Sequence, residues 1–92
     1  MEIVINHQVS DELKAAMSKA GKTAARFILK EYGSCGAVFS IEMSDPREGD
    51  TAAESNGIVF VVESKFAFAL RYPEIEKVGD LFGVKKTSCG CL

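Results

Sequence analysis

Three thiols carry the strongest chemical signal in this sequence. Cys35 stands in Gly33-Ser34-Cys35-Gly36, and Cys89 and Cys91 flank one glycine in Ser88-Cys89-Gly90-Cys91-Leu92. None of them sits on an apolar strand or helix pattern, so packing as a small hydrophobe does not account for them. A thiol outside the core is an oxidation liability unless it serves as a nucleophile or a ligand. In an extended chain, residues i and i+2 point to the same side. The glycine between Cys89 and Cys91 can take positive φ and lets both sulfurs approach one metal. The spacing is shorter than the matched Cys-x₂₋₄-Cys pairs of structural zinc sites, and the thioredoxin-like Cys-x-x-Cys is absent.

Counting sharpens the reading. Three cysteines cannot all pair within one chain. An iron–sulfur cluster normally takes four thiolates; one chain offers three, and two chains offer enough to hold a cluster between them. An incomplete ligand set on a chain end suits a cluster that is handed on rather than kept.

The other candidate residues are weaker. His7 is the single histidine and is expected at a strand end, with no partner motif for ligation. Asp45, Glu48 and Asp50 form an acidic stretch, expected to be a solvated loop, with a divalent ion or partner contact as the minority reading. Lys85-Lys86 reads as edge-strand protection. With one histidine and no nucleophile elbow there is no Ser-His-Asp triad, and nothing cradles a phosphate.

The elements that must position the thiols are legible in outline. Glu2 to His7 reads as a short strand. Ser10 is the expected N-cap of a helix whose first turn holds Asp11 and Glu12; Leu13, Ala16, Met17 and Ala20 form its apolar stripe and Gly21 stops it. Ala24 to Tyr32 alternates, with Phe27, Leu29 and Glu31 on one side and Arg26, Ile28, Lys30 and Tyr32 on the other. Alternation resumes from Ala37 to Met43, so the two segments form a hairpin with Cys35 at its tip. Ser44 to Asn56 reads as an irregular loop. Asn56-Gly57 is a hairpin-type turn opening onto Ile58 to Val62, a strand apolar on both sides and hence central. Ser64 is the expected cap of a short helix through Leu70, ended by Pro73. Two weak strands follow between Glu74 and Thr87, broken at Gly79-Asp80 and Gly83. The expected class is mainly β (α+β).

Ninety-two residues make one domain, 1–92, with a modest core. Eleven basic against 13 acidic residues give a net charge of −2, so no basic field attracts phosphate backbones and nucleic acid is not an expected partner. The N-terminus has an acid where a signal peptide carries bases, and no apolar run approaches the ~20 residues that span a bilayer. A cytoplasmic protein with reduced thiols is the expectation.

The stretch Gly33-Ser34-Cys35-Gly36-Ala37-Val38-Phe39-Ser40-Ile41-Glu42 resembles the Gly-Cys-Ser-Gly-x-x-Tyr segment of the A-type iron–sulfur carriers, the HesB/IscA-like family. Glu48-Gly49-Asp50, Asn56-Gly57-Ile58 and Ser64 to Leu70 follow in that family's order, and Cys89-Gly90-Cys91 matches its Cys-Gly-Cys. The likeness covers nearly the whole chain, as a divergent member. The family's first cysteine follows its first glycine; here Ser34 holds that place and Cys35 comes next. The tail stops at Leu92 where the family usually continues Gly-x-Ser-Phe, and Leu81 to Thr87 lacks its usual Asn-Pro.

The resemblance implies a compact, buckled mixed β-sheet or pseudo-barrel with one N-terminal helix and a second short one. It implies a non-enzymatic protein of the cytoplasm that binds iron, or a [2Fe-2S] or [4Fe-4S] cluster, through Cys35, Cys89 and Cys91. Such a protein forms a homodimer or tetramer with the thiols converging near a subunit interface, takes its cargo from a donor scaffold and delivers it to acceptor apoproteins. Two alternatives stay open: a thiol–disulfide redox protein in which Cys35 cycles with a tail thiol, and a metal-handling interaction module on the same fold.

Overall fold

The computed structural model describes residues 2–33 and 36–85. Helix α1 spans His7–Ala20 and is followed by strands β1 (Ala24–Gly33), β2 (Gly36–Ser44), β3 (Asp50–Ser55) and β4 (Ile58–Glu63). A 3₁₀ helix, Ser64–Ala69, then leads to β5 (Ile75–Val78) and β6 (Leu81–Val84). The six strands form one mixed sheet in the order β3-β4-β1-β2-β6-β5. Among the six described strands, only β1 and β4 pair in parallel, with Ala25 opposite Phe60. A mixed sheet with an N-terminal helix and a short second helix is the architecture expected from the sequence.

One face of the sheet and the buried side of α1 make the core. Leu13 and Met17 of α1 meet Phe27 of β1, Phe39 and Ile41 of β2, Phe60 and Val62 of β4 and Phe82 of β6. Phe27 is its hub, stacked on Phe60 at 5.7 Å between ring centroids and edge-on to Phe39 at 6.3 Å. Each such buried side chain contributes about 1.5–3 kcal/mol through removal from water.

The hydrophobic stripe of α1 begins a turn earlier than Leu13. Val9 also packs against the core, so the helix starts at His7 and its cap is Asn6, whose Oδ1 accepts from Val9 N at 2.8 Å. Ser10, expected as the cap, is instead buried inside the helix, and the first turn carries no acid. Gly21 ends α1 as anticipated: its φ of 68° lets its own N–H and that of Lys22 reach the carbonyls of Ser18 and Met17. The opening strand is reduced to a single parallel bridge between Val4 and Glu74.

The Ser44–Asn56 stretch is not all loop. Its second half is β3, paired along its whole length with β4 from Asp50↔Glu63 to Ser55↔Ile58. Asp-Thr-Ala-Ala-Glu-Ser has little strand propensity of its own, but the turn that joins it to β4 decides the matter. Asn56 and Gly57 have φ of 52° and 78°, both positive, as a type I′ hairpin turn requires. Ser64 does not cap the 3₁₀ helix either: Glu63 holds that position with no side-chain bond, and the Ser64 hydroxyl pairs with that of Thr51 at 2.9 Å. Gly83 lies within β6 rather than breaking it.

Candidate functional site

Strands β1 and β2 form a long hairpin that closes at Gly33↔Gly36. Lys30 is an extra residue on β1, between the pairs Leu29↔Phe39 and Glu31↔Val38. Such a bulge bends a strand and increases its local twist. Beyond it the ladder continues through Tyr32↔Ala37 to the glycine pair. Cys35 follows in the sequence between those glycines; it lies outside the described residues, as do Cys89 and Cys91.

Strand β6 fixes where the chain leaves for its last two cysteines. It pairs antiparallel with β2, with Ile41 opposite Phe82 and Ser40 opposite Gly83. Each further residue of β6 therefore moves toward Gly36. Lys85, anchored by its N–H on the Glu74 carbonyl at 2.7 Å, stands level with Val38 in this register. The hairpin and β6 thus run to the same end of the sheet. From Lys85, a chain of four residues spans at most about 14 Å, whereas the step from Val38 to Gly36 along β2 is only about 7 Å.

The acidic stretch holds a feature that the sequence did not announce. Arg26, on the face of β1 opposite Phe27, is almost completely buried, and so is Asp50 at the start of β3; their side chains are only 6% and 7% exposed. The guanidinium donates Nη1–H to Oδ1 at 2.9 Å and Nη2–H to Oδ2 at 2.7 Å. Its remaining bonds go from Nε to the Ser44 hydroxyl and from Nη2 to the Asp45 carbonyl. Asp50 Oδ2 also accepts from Arg47 N at 2.7 Å. Hydrogen bonding to Arg26 holds the Asp50 carboxyl below its ordinary range, and the same bond raises Arg26 further.

The pair ties β1, the end of β2 and the start of β3 together at the floor of a cleft of about 410 Å³ lined by Arg47, Glu48, Gly49, Glu63, Ser64 and Lys65. A lone arginine in an alternating strand was the one available signal. The expectation of a fully solvated loop is corrected for Asp50. Asp45 does stay exposed, its carboxylate accepting from Thr23 N and Oγ1, and this lowers its pKa.

These carboxylates are engaged by protein partners, and among the described residues no three His, Cys, Asp or Glu side chains converge on a metal-sized site. His7 opens α1 rather than ending a strand, is exposed, and faces Asp11 at 3.3 Å. No helix among the described residues is long and apolar enough to cross a membrane.

No protein-family model matches the sequence, and no curated protein does. Solved structures do match in shape. The chain is similar to Escherichia coli SufA, described as involved in biosynthesis of iron–sulfur clusters, with a TM-score of 0.67, 19% identity and coverage of 98% of this chain and 88% of that one. It is also similar to IscA crystallised with a [2Fe-2S] cluster, with a TM-score of 0.65, 14% identity and coverage of 97% and 92%. The chain has the SufA/IscA fold. At these identities the likeness is one of fold.

Proposed function

We propose that this chain binds an iron–sulfur cluster, or iron, as cargo through the thiolates of Cys35, Cys89 and Cys91, and delivers it to acceptor apoproteins. The observation that carries the reading is topological. The β1–β2 hairpin and β6 end on the same side of one sheet, so the two segments that bear all the cysteines depart within reach of each other. The donor set is soft and thiolate-only, which suits iron–sulfur clusters over hard cations. The shared fold with SufA and IscA supports the same assignment.

Three thiolates leave a four-ligand cluster one short, and a second copy of the chain supplies the remainder. The working form is therefore a homodimer, or a tetramer built from it, that receives its cargo from a donor scaffold in the cytoplasm. The protein works as a carrier and not as an enzyme, because the cargo changes ligands without being consumed. Cargo that must leave is best held by a site completed only on assembly.

Anaerobic reconstitution with ferrous iron and sulfide tests this reading. The expected result is visible sulfide-to-iron charge-transfer absorption with fewer than one cluster per chain. Colourless protein with all thiols still titratable overturns it, and a reversible two-electron thiol–disulfide couple without metal would assign a redox role instead.

A further inference from the structure

The turn between β3 and β4 carries a chemically reactive pair. The chain holds two asparagines, Asn6 and Asn56, and only Asn56 is followed by glycine. The backbone nitrogen that follows an asparagine can attack its side-chain carboxamide, and glycine, with no Cβ, leaves that nitrogen unscreened. Asn56 and Gly57 are both exposed and lie outside the ladder, which closes at Ser55↔Ile58. Among the described residues the Gly57 N–H donates to no backbone carbonyl. Asn6 differs on each count. Its Oδ1 is held by Val9 N at 2.8 Å as the cap of α1, and the bulkier His7 follows it inside the helix.

The reaction needs only water as co-reactant. The Gly57 nitrogen bonds to Cγ of Asn56 as it gives up its proton, and the Cγ–Nδ2 bond breaks with departure of ammonia. Water then opens the cyclic imide at one of its two carbonyls. Opening at the side-chain carbonyl leaves aspartate at position 56. Opening at the main-chain carbonyl leaves isoaspartate, in which the backbone runs through Cβ and Cγ to Gly57. Neither product requires an oxidant or a reductant, and each gains a carboxylate.

The fold makes these two products unequal. Asp-Gly suits a type I′ turn as Asn-Gly does, so aspartate keeps the hairpin. Isoaspartate adds a methylene to the main chain of a turn that closes through two residues, at φ of 52° and 78°. The strands can then no longer close in the same register. β3 is an edge strand whose single neighbour in the sheet is β4, so no second strand holds it in place. Its first residue, Asp50, is the counterion of buried Arg26, which makes a lost register costly.

We propose that Asn56 is a site of spontaneous isoaspartate formation, and that this conversion breaks the β3–β4 hairpin. The chemistry is independent of the cargo. It proceeds in one direction without an enzyme, so the turn marks and destabilises aged chains.

The test incubates the full chain in neutral buffer at physiological temperature and maps it by mass spectrometry with isoaspartyl methyltransferase labelling. Asn56 should convert, with isoaspartate accumulating, while Asn6 stays intact. The isoaspartyl fraction, isolated chromatographically, should unfold at lower urea than the parent and lose hydrogen-exchange protection along β3. Asn56→Asp should unfold with the parent. Equal conversion at Asn6, or an intact Asn56 under conditions that convert the urea-unfolded chain, overturns the proposal. An isoaspartyl fraction as stable as the parent overturns it too. So does an Asn56→Asp variant as unstable as that fraction, because the added charge alone then accounts for the loss.

Discussion

The Arg26 guanidinium meets the Asp50 carboxylate end-on, with Nη1–Oδ1 at 2.9 Å and Nη2–Oδ2 at 2.7 Å, in a site where neither side chain is more than a tenth exposed. Two oppositely charged groups from strands 24 residues apart in sequence are thereby fixed across the β4 strand that separates them. Ser44, Asp45 and Arg47 supply further bonds, so the pair is well satisfied.

Breaking such a pair from one side leaves a buried charge without its counterion. Asp50→Ala is expected to destabilise the fold by about 3–5 kcal/mol, read as a lower urea midpoint at unchanged slope. The double replacement Arg26→Met/Asp50→Leu should recover most of that loss, because it removes both charges together. A double variant no more stable than Asp50→Ala would contradict this account of the pair.

The same bonds set a dependence on acid. Asp50 has a folded-state pKa below its unfolded value because Arg26 favours the ionised form. Its contribution is therefore complete above the unfolded carboxylate value of about 3.9 and is lost as pH falls below it, through the depressed folded value. Stability measured by urea unfolding should fall steeply with acid below about pH 4, and Asp50→Asn should flatten that part of the profile. An unchanged acid limb in the variant would show that other carboxylates govern it.

Ser10 offers a change in the opposite direction. It is 1% exposed inside α1, and its hydroxyl has no hydrogen-bond partner among the described residues. Ser10→Ala relieves an unmet desolvation cost and improves helix propensity, for a gain of about 1 kcal/mol. Thermal unfolding should shift upward by several degrees, roughly 4–8 °C for a domain of this size. A loss of stability would mean that the hydroxyl does find a partner.

The Asn56-Gly57 turn sets the register that keeps β3 on the sheet. Gly57 has φ of 78°, and a Cβ added there would stand 3.3 Å from the Lys14 ammonium. Gly57→Ala should cost about 1 kcal/mol or more, chiefly through the strained backbone. Because Lys14 ends a flexible side chain, its contact adds little. A cost near zero in a chemical-denaturation series would show that the turn tolerates another geometry.

Much of this fold was legible because pattern and turn chemistry agreed. Alternation in β1 and β2, the Leu13 and Met17 stripe, Gly21 and the apolar run of β4 each pointed to the element observed. The misreadings share one cause, a local signal outranked by pairing or packing. Ser10 is a good cap in isolation, but Val9 extends the buried stripe and moves the cap to Asn6. Asp50 to Ser55 is polar and weak in propensity, but the type I′ turn commits it to β4. A type I′ turn requires a strand on both sides, and β3 is the second of them.

The candidate site divides in the same way. Residue type and spacing single out Cys35, Cys89 and Cys91, and the strand directions that bring the β1–β2 hairpin and β6 to one end of the sheet follow only from the sheet order. Arg26 and Asp50 met through contacts between distant segments, which no local pattern encodes.

If three thiolates of this chain hold the cargo, single cysteine variants reconstituted with iron and sulfide will each show it. Absorption per chain at the sulfide-to-iron charge-transfer band, with iron and sulfide content, is the measurement. Cys35→Ser, Cys89→Ser and Cys91→Ser should each abolish the stable chromophore while leaving the circular dichroism of the fold intact. Full colour and stoichiometry in Cys89→Ser or Cys91→Ser would contradict it, and full colour in Cys35→Ser would remove the hairpin tip from the ligand set.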